Sequence, residues 1–112
     1  MGRVYRERRI YGCTQAEVRA AAERAVYELG MAVKPDSTEW ELQADRAMSA
    51  LSWGERMKAL MATSPGGGTQ VVLESKLVFG FMDWGRNQKN VESFFETMEM
   101  VIGPGEPAPL EM

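Results

Sequence analysis

Three carboxylates stand where chemistry would be sought first. Glu55, Glu74 and Asp83 lie close to strand ends and corners of the chain, and two carboxyls facing each other in a pocket can divide general acid and general base work. One sequence does not show such convergence, so a small carboxylate-only enzyme is an alternative reading. No other base is at hand, because the 112 residues include no histidine and one cysteine. Ser-His-Asp and Cys-His machinery is excluded for want of its base. Zinc, copper and haem sites draw on clustered His or Cys, so no metal or cofactor is expected. Cys13 precedes a helix start, where a thiol can become reactive. It has no resolving cysteine, and free cysteines mostly serve as buried spacers.

Arg3, Arg6, Arg8 and Arg9 crowd the first strand. They could form a phosphate-binding stripe, which makes a nucleic-acid binder the third reading. The favoured reading is an edge strand kept soluble by charge, since Glu7 interrupts the run and the net charge is −3. Gly66, Gly67 and Gly68 suggest a phosphate cradle, but the lysine and hydroxyl of a P-loop do not follow them. They read as a flexible hairpin turn after Ser64 and Pro65.

The elements that must position these residues follow from spacing. Residues 3–11 read as a strand. Thr14 and Glu17 form a capping box, and Val18, Ala22, Ala25, Val26 and Leu29 make one apolar stripe, so 14–29 is a helix ending at Gly30. Residues 31–34 resume as strand, with a turn at Pro35, Asp36 and Ser37. Trp40, Leu42 and Ala44 then alternate with Glu39, Glu41, Gln43 and Asp45, which describes a strand with one buried and one solvated face. Residues 53–63 place Met57, Ala59 and Met61 on one side and Arg56, Lys58 and Leu60 on the other. Residues 69–79 form the last long strand, apolar on both faces: Val71, Leu73, Leu77 and Phe79 on one, Val72 and Val78 on the other. Val91, Phe94, Phe95, Met98, Val101 and Ile102 line one face of a closing helix.

The order β-α-β-β-β-β-α predicts a two-layer α+β domain, an antiparallel sheet with two helices on one face. Residues 1–102 form this single domain. Residues 103–112 include Gly103, Pro104, Gly105, Pro107 and Pro109 and are expected to be a disordered tail, dispensable to the fold. No apolar run is long enough to cross a membrane, the N-terminus lacks a signal-peptide core, and Arg6 breaks the myristoylation pattern begun at Gly2. A cytoplasmic address is expected.

Between the last strand and the last helix stand Asp83, Trp84, Gly85, Arg86 and Asn87. Gly85 suits a positive φ, Asn87 can cap the helix, Trp84 can fill the gap between layers, and Asp83 and Arg86 can fasten the corner. Together with Ser52, Trp53, Gly54 and Glu55, this stretch resembles small bacterial domains of unknown function that carry a D-[WF]-G-x-N corner and an S-W-G-E motif. The resemblance covers the C-terminal half; it implies a shared fold and transfers no activity.

The function expected is that of a non-enzymatic binding or assembly domain. Nine methionines and three tryptophans exceed what two helices on one face would cover. Val72, Val78, Met57 and Met61 are the candidate interface on the uncovered face, with a second copy of the chain, a homodimer, or an apolar small ligand as partner. Nucleic acid is disfavoured, and no membrane is involved.

Overall fold

The structure, a computed structural model, describes residues 4–46, 54–77 and 85–109. Along the chain run β1 (Val4–Tyr11), α1 (Gln15–Glu28), β2 (Ala32–Val33), β3 (Glu41–Arg46), β4 (Glu55–Thr63), β5 (Thr69–Leu77), α2 (Arg86–Ile102) and β6 (Glu106–Ala108). The strands form one antiparallel sheet in the order β2-β3-β4-β5-β1-β6. The expected α+β order is present, with a sixth short strand appended.

Helix α1 begins as its sequence dictates. The Thr14 backbone N–H donates to Glu17 Oε1 at 3.0 Å, and the Glu17 N–H donates to Thr14 Oγ1 at 3.2 Å, so two amides of the first turn are satisfied reciprocally. Val18, Ala21, Ala22, Ala25 and Val26 are buried. The small alanines let α1 lie close to α2 and to β2, β3 and β4, while α2 covers β1 and β5. On α2, Val91, Phe94, Phe95 and Met98 are buried. Val101 was expected on that stripe but is 56% exposed, because at 100° per residue it falls at the margin of the face set by Val91, Phe95 and Met98, while Ile102 in the same turn packs against the core.

The strands place alternate residues on the two faces of the sheet. Leu42, Ala44, Met57, Ala59, Met61, Val71 and Leu73 point to the helices and are buried with Tyr11. Trp40 departs from the alternation: it precedes β3 and is 43% exposed, although its carbonyl still accepts from the Met61 N–H at 2.8 Å. Val78, Phe79, Asp83, Trp84, Ser52 and Trp53 lie outside the described residues.

The C-terminal segment corrects the expectation of a disordered tail. Glu106, Pro107 and Ala108 pair with Ile10, Arg9 and Arg8. Proline is tolerated because β6 is an edge strand, where one side needs no ladder donor. Gly105 passes so close over the Tyr11 ring that an added Cβ would lie 2.5 Å from Cε1. Glycine composition here therefore records a close approach to a buried ring, not looseness. Removal of residues 104–112 is expected to lower stability by about 1–3 kcal/mol, by uncovering Tyr11 and losing the β1–β6 bonds. A truncated chain with an unchanged urea midpoint would show that the strand contributes nothing.

Candidate functional site

The candidate carboxylates do not converge. Glu55 points to the helices and is fully buried, whereas Glu74 points to the opposite face, where Arg6 Nε donates to it at 2.7 Å. The sheet itself separates them; Asp83 lies outside the described residues. Glu55 is held by charge and amide partners: Arg46 Nη1 donates to Oε1, and Asn90 Nδ2 donates to the same oxygen at 3.0 Å. Arg46 also donates through Nη2 to the Leu29 carbonyl. A carboxylate so paired, under two helices, ties α1, β3, β4 and α2 together.

The corner before α2 works differently from expectation. Gly85 has φ 78° and is the N-cap residue, without a side-chain cap bond. Asn87 does not cap. It is fully buried two residues further in, and its Oδ1 accepts from Ser75 Oγ at 2.8 Å. The reason is rotational: position 87 turns toward β5 on the covered side of the helix, where a buried amide must find a partner.

The arginine run is split by strand alternation. Arg3 lies outside the described residues, and Arg6 and Arg8 face away from the helices. Arg9 faces inward, donating to Glu7 and Glu99 at 2.8 and 2.7 Å, with its guanidinium carbon 4.3 Å from the Phe95 ring centre. Burial works against the Arg9 charge, but the bonds to Glu99 and Glu7 outweigh it and hold its pKa above the ordinary arginine value. Cys13 is half-buried, its Sγ 3.8 Å from the Ile102 carbonyl oxygen. Among the described residues no group of three or more His, Cys, Asp or Glu could hold a metal ion, and no helix is long and apolar enough to cross a membrane.

Tyr11 completes the Arg9 cluster by donating its hydroxyl to Glu99 Oε2 at 2.7 Å. Burial first, and then the bond and charge of Glu99, push its pKa above the ordinary tyrosine value. The neutral phenol therefore contributes stability below the unfolded value of about 10, and this is lost as pH rises beyond it toward the folded value. The stability of the wild-type chain should fall from about pH 10 upward. Tyr11→Phe, measured by urea melts at successive pH values, should flatten that fall; an equal slope would place the alkaline sensitivity elsewhere.

Met57 and Met61, expected at an uncovered interface, are instead 1% and 4% exposed. They share the parity of Glu55 and Ala59 and lie beneath the helices, so they belong to the core. What remains on the open face is laid out by register. One row across the sheet is Glu41, Leu60, Val72 and Arg8; the next is Gln43, Lys58, Glu74 and Arg6. A third contains Asp45, Arg56, Lys76 and Val4. Leu60 is 42% exposed and directly opposite the half-buried Val72. A depression of about 190 Å³ lies beside them, lined by Gln43, Arg56, Met57, Lys58, Glu74 and Lys76. The outward side of β5 is thus Gln70, Val72, Glu74 and Lys76, with one apolar residue where a two-sided apolar strand was expected. Val78, which shared that expectation, is outside the described residues.

No protein-family model matches the chain, and no curated protein matches it. Among solved structures it is similar to the protein of unknown function SA2116 from Staphylococcus aureus, with a TM-score of 0.54 and 12% identity over 88% of this chain and 92% of that one. It is also similar to TTHA0849 from Thermus thermophilus, with a TM-score of 0.48 and 16% identity over 88% and 96% of the two chains. The first likeness shows a shared fold.

Proposed function

We propose that the chain is a non-catalytic assembly module that works through the open face of its sheet, and that its partner is a second copy of itself. The observation that carries this reading is the Leu60–Val72 pair, placed side by side at the middle of that face with Leu60 42% exposed. Both helices lie on the other side, so no described element of the chain covers the pair. Four long strands and two short ones, about 4.8 Å apart and rising about 3.4 Å per residue, present roughly 600 Å² per copy, near the lower limit of stable interfaces. Apolar area removed from water there contributes roughly 25 cal/mol for each Å², and twofold pairing is the commonest way for one surface to cover itself. A single half-buried thiol, Cys13, suits the reducing cytoplasm that belongs to this reading.

Val72→Glu should convert a dimer at micromolar concentration to monomer while leaving the melting transition cooperative. Light scattering behind size exclusion measures the mass. A monomer mass for the wild type at high concentration would overturn the reading.

A further inference from the structure

Resting on that reading, we infer that the two copies meet face to face about a twofold axis that runs parallel to the strands, between β4 and β5. Such an axis keeps each residue at its height along the strands and exchanges β3 with β1 and β4 with β5. The row Glu41, Leu60, Val72, Arg8 then meets itself reversed. Glu41 falls over the second copy's Arg8, and Leu60 falls over the second copy's Val72. In the neighbouring row, Lys58 falls over the second copy's Glu74, and Gln43 over its Arg6.

This pairing follows from the charge gradient of the face. The β3 side carries Glu41 and Asp45 and the β1 side carries Arg6 and Arg8, so exchanging the two sides sets Glu41 over Arg8, Gln43 over Arg6 and Asp45 over the uncharged Val4, with no acid over acid. A twofold axis in the sheet plane but across the strands would instead set β3 over β3 and bring Glu41 toward Asp45, like against like. Opposite charges across an interface fix register and exclude wrong pairings. The third row is the adverse one, with Arg56 over the second copy's Lys76. Arg56 is already paired with Asp45 at 3.2 Å, and packed sheets cross at about 30°, which carries rows away from the centre out of direct opposition.

The test exploits a separation within the chain. Glu41 on β3 and Arg8 on β1 have β4 and β5 between them, so they cannot pair within one copy. Glu41→Arg and Arg8→Glu each turn two facing pairs per dimer into like charges, and each should weaken self-association at least about ten-fold. An equimolar mixture of the two variants restores both pairs and should return to within about three-fold of the wild-type dissociation constant, measured by sedimentation. Lys58→Glu mixed with Glu74→Lys obeys the same symmetry and replaces the first pair if either variant does not fold. A wild-type dimer whose variants are not rescued by mixing overturns this axis and leaves the assembly reading standing. A wild-type monomer overturns both.

Discussion

Arg46→Met is expected to cost about 3–5 kcal/mol of stability, because it takes the Arg46 guanidinium away from the buried Glu55 carboxylate. The two residues are direct partners in the β3–β4 register, and Glu55 has no exposed surface. Asn90 would still donate at 3.0 Å, but a neutral amide does not offset the desolvation of a charge. The double variant Arg46→Met, Glu55→Leu should recover most of the loss, since an apolar pair of similar volume needs no compensation. It should stay slightly below wild type, because the Leu29 carbonyl at the end of α1 also loses its donor. Urea denaturation of the three proteins decides the matter. A single variant within about 1 kcal/mol of wild type would mean that the pair is solvated and weak.

The same comparison would show why such a pair is kept. Slipping β3 by one residue against β4 would turn Arg46 to the open face and strand Glu55 beneath the helices. An apolar pair would penalise that slip far less. The double variant should therefore melt less cooperatively or populate a second register even where its stability recovers, which hydrogen exchange in β3 would detect.

Much of this was legible in the chain. Parity assigned Met57, Ala59 and Met61 to one face and Arg56, Lys58 and Leu60 to the other, but Glu55, two residues before Met57, reads for its charge as a candidate site and not for its place on the methionine face, where it is buried. What parity could not convey was which face the helices cover, so Met57 and Met61 read equally well as interface or as core. Asn87 shows a second limit: its type suits a cap, and only the bond to Ser75 twelve residues earlier reveals its use. The Arg9, Tyr11 and Glu99 cluster joins residues about ninety positions apart, and no local spacing records it. The tail was hidden for another reason. Glycine and proline signal disorder by composition, yet Gly105 is required by a ring and Pro107 is permitted by an edge.

Gly68→Ala is the second substitution with a large expected effect, about 2–5 kcal/mol, even though it adds one methyl group to a loop. Gly68 has φ 79°, a conformation an L-residue adopts at a cost of about 1–2 kcal/mol. Its added Cβ would also overlap the Tyr11 carbonyl oxygen and lie 3.1 Å from the carbonyl carbon. Neither atom can turn aside, because Tyr11 is paired with Thr69 at the end of the β1–β5 ladder, so the two strands must part. Gly67 supplies the control: its φ is 99°, but nothing lies within 4 Å of an added Cβ. Gly67→Ala should therefore show the backbone cost alone, about 1–2 kcal/mol. The difference between the two alanines measures the contact between the hairpin loop and β1. Equal losses would mean that the loop moves away from β1 freely, and that Gly68 is there for its φ and not for the close approach.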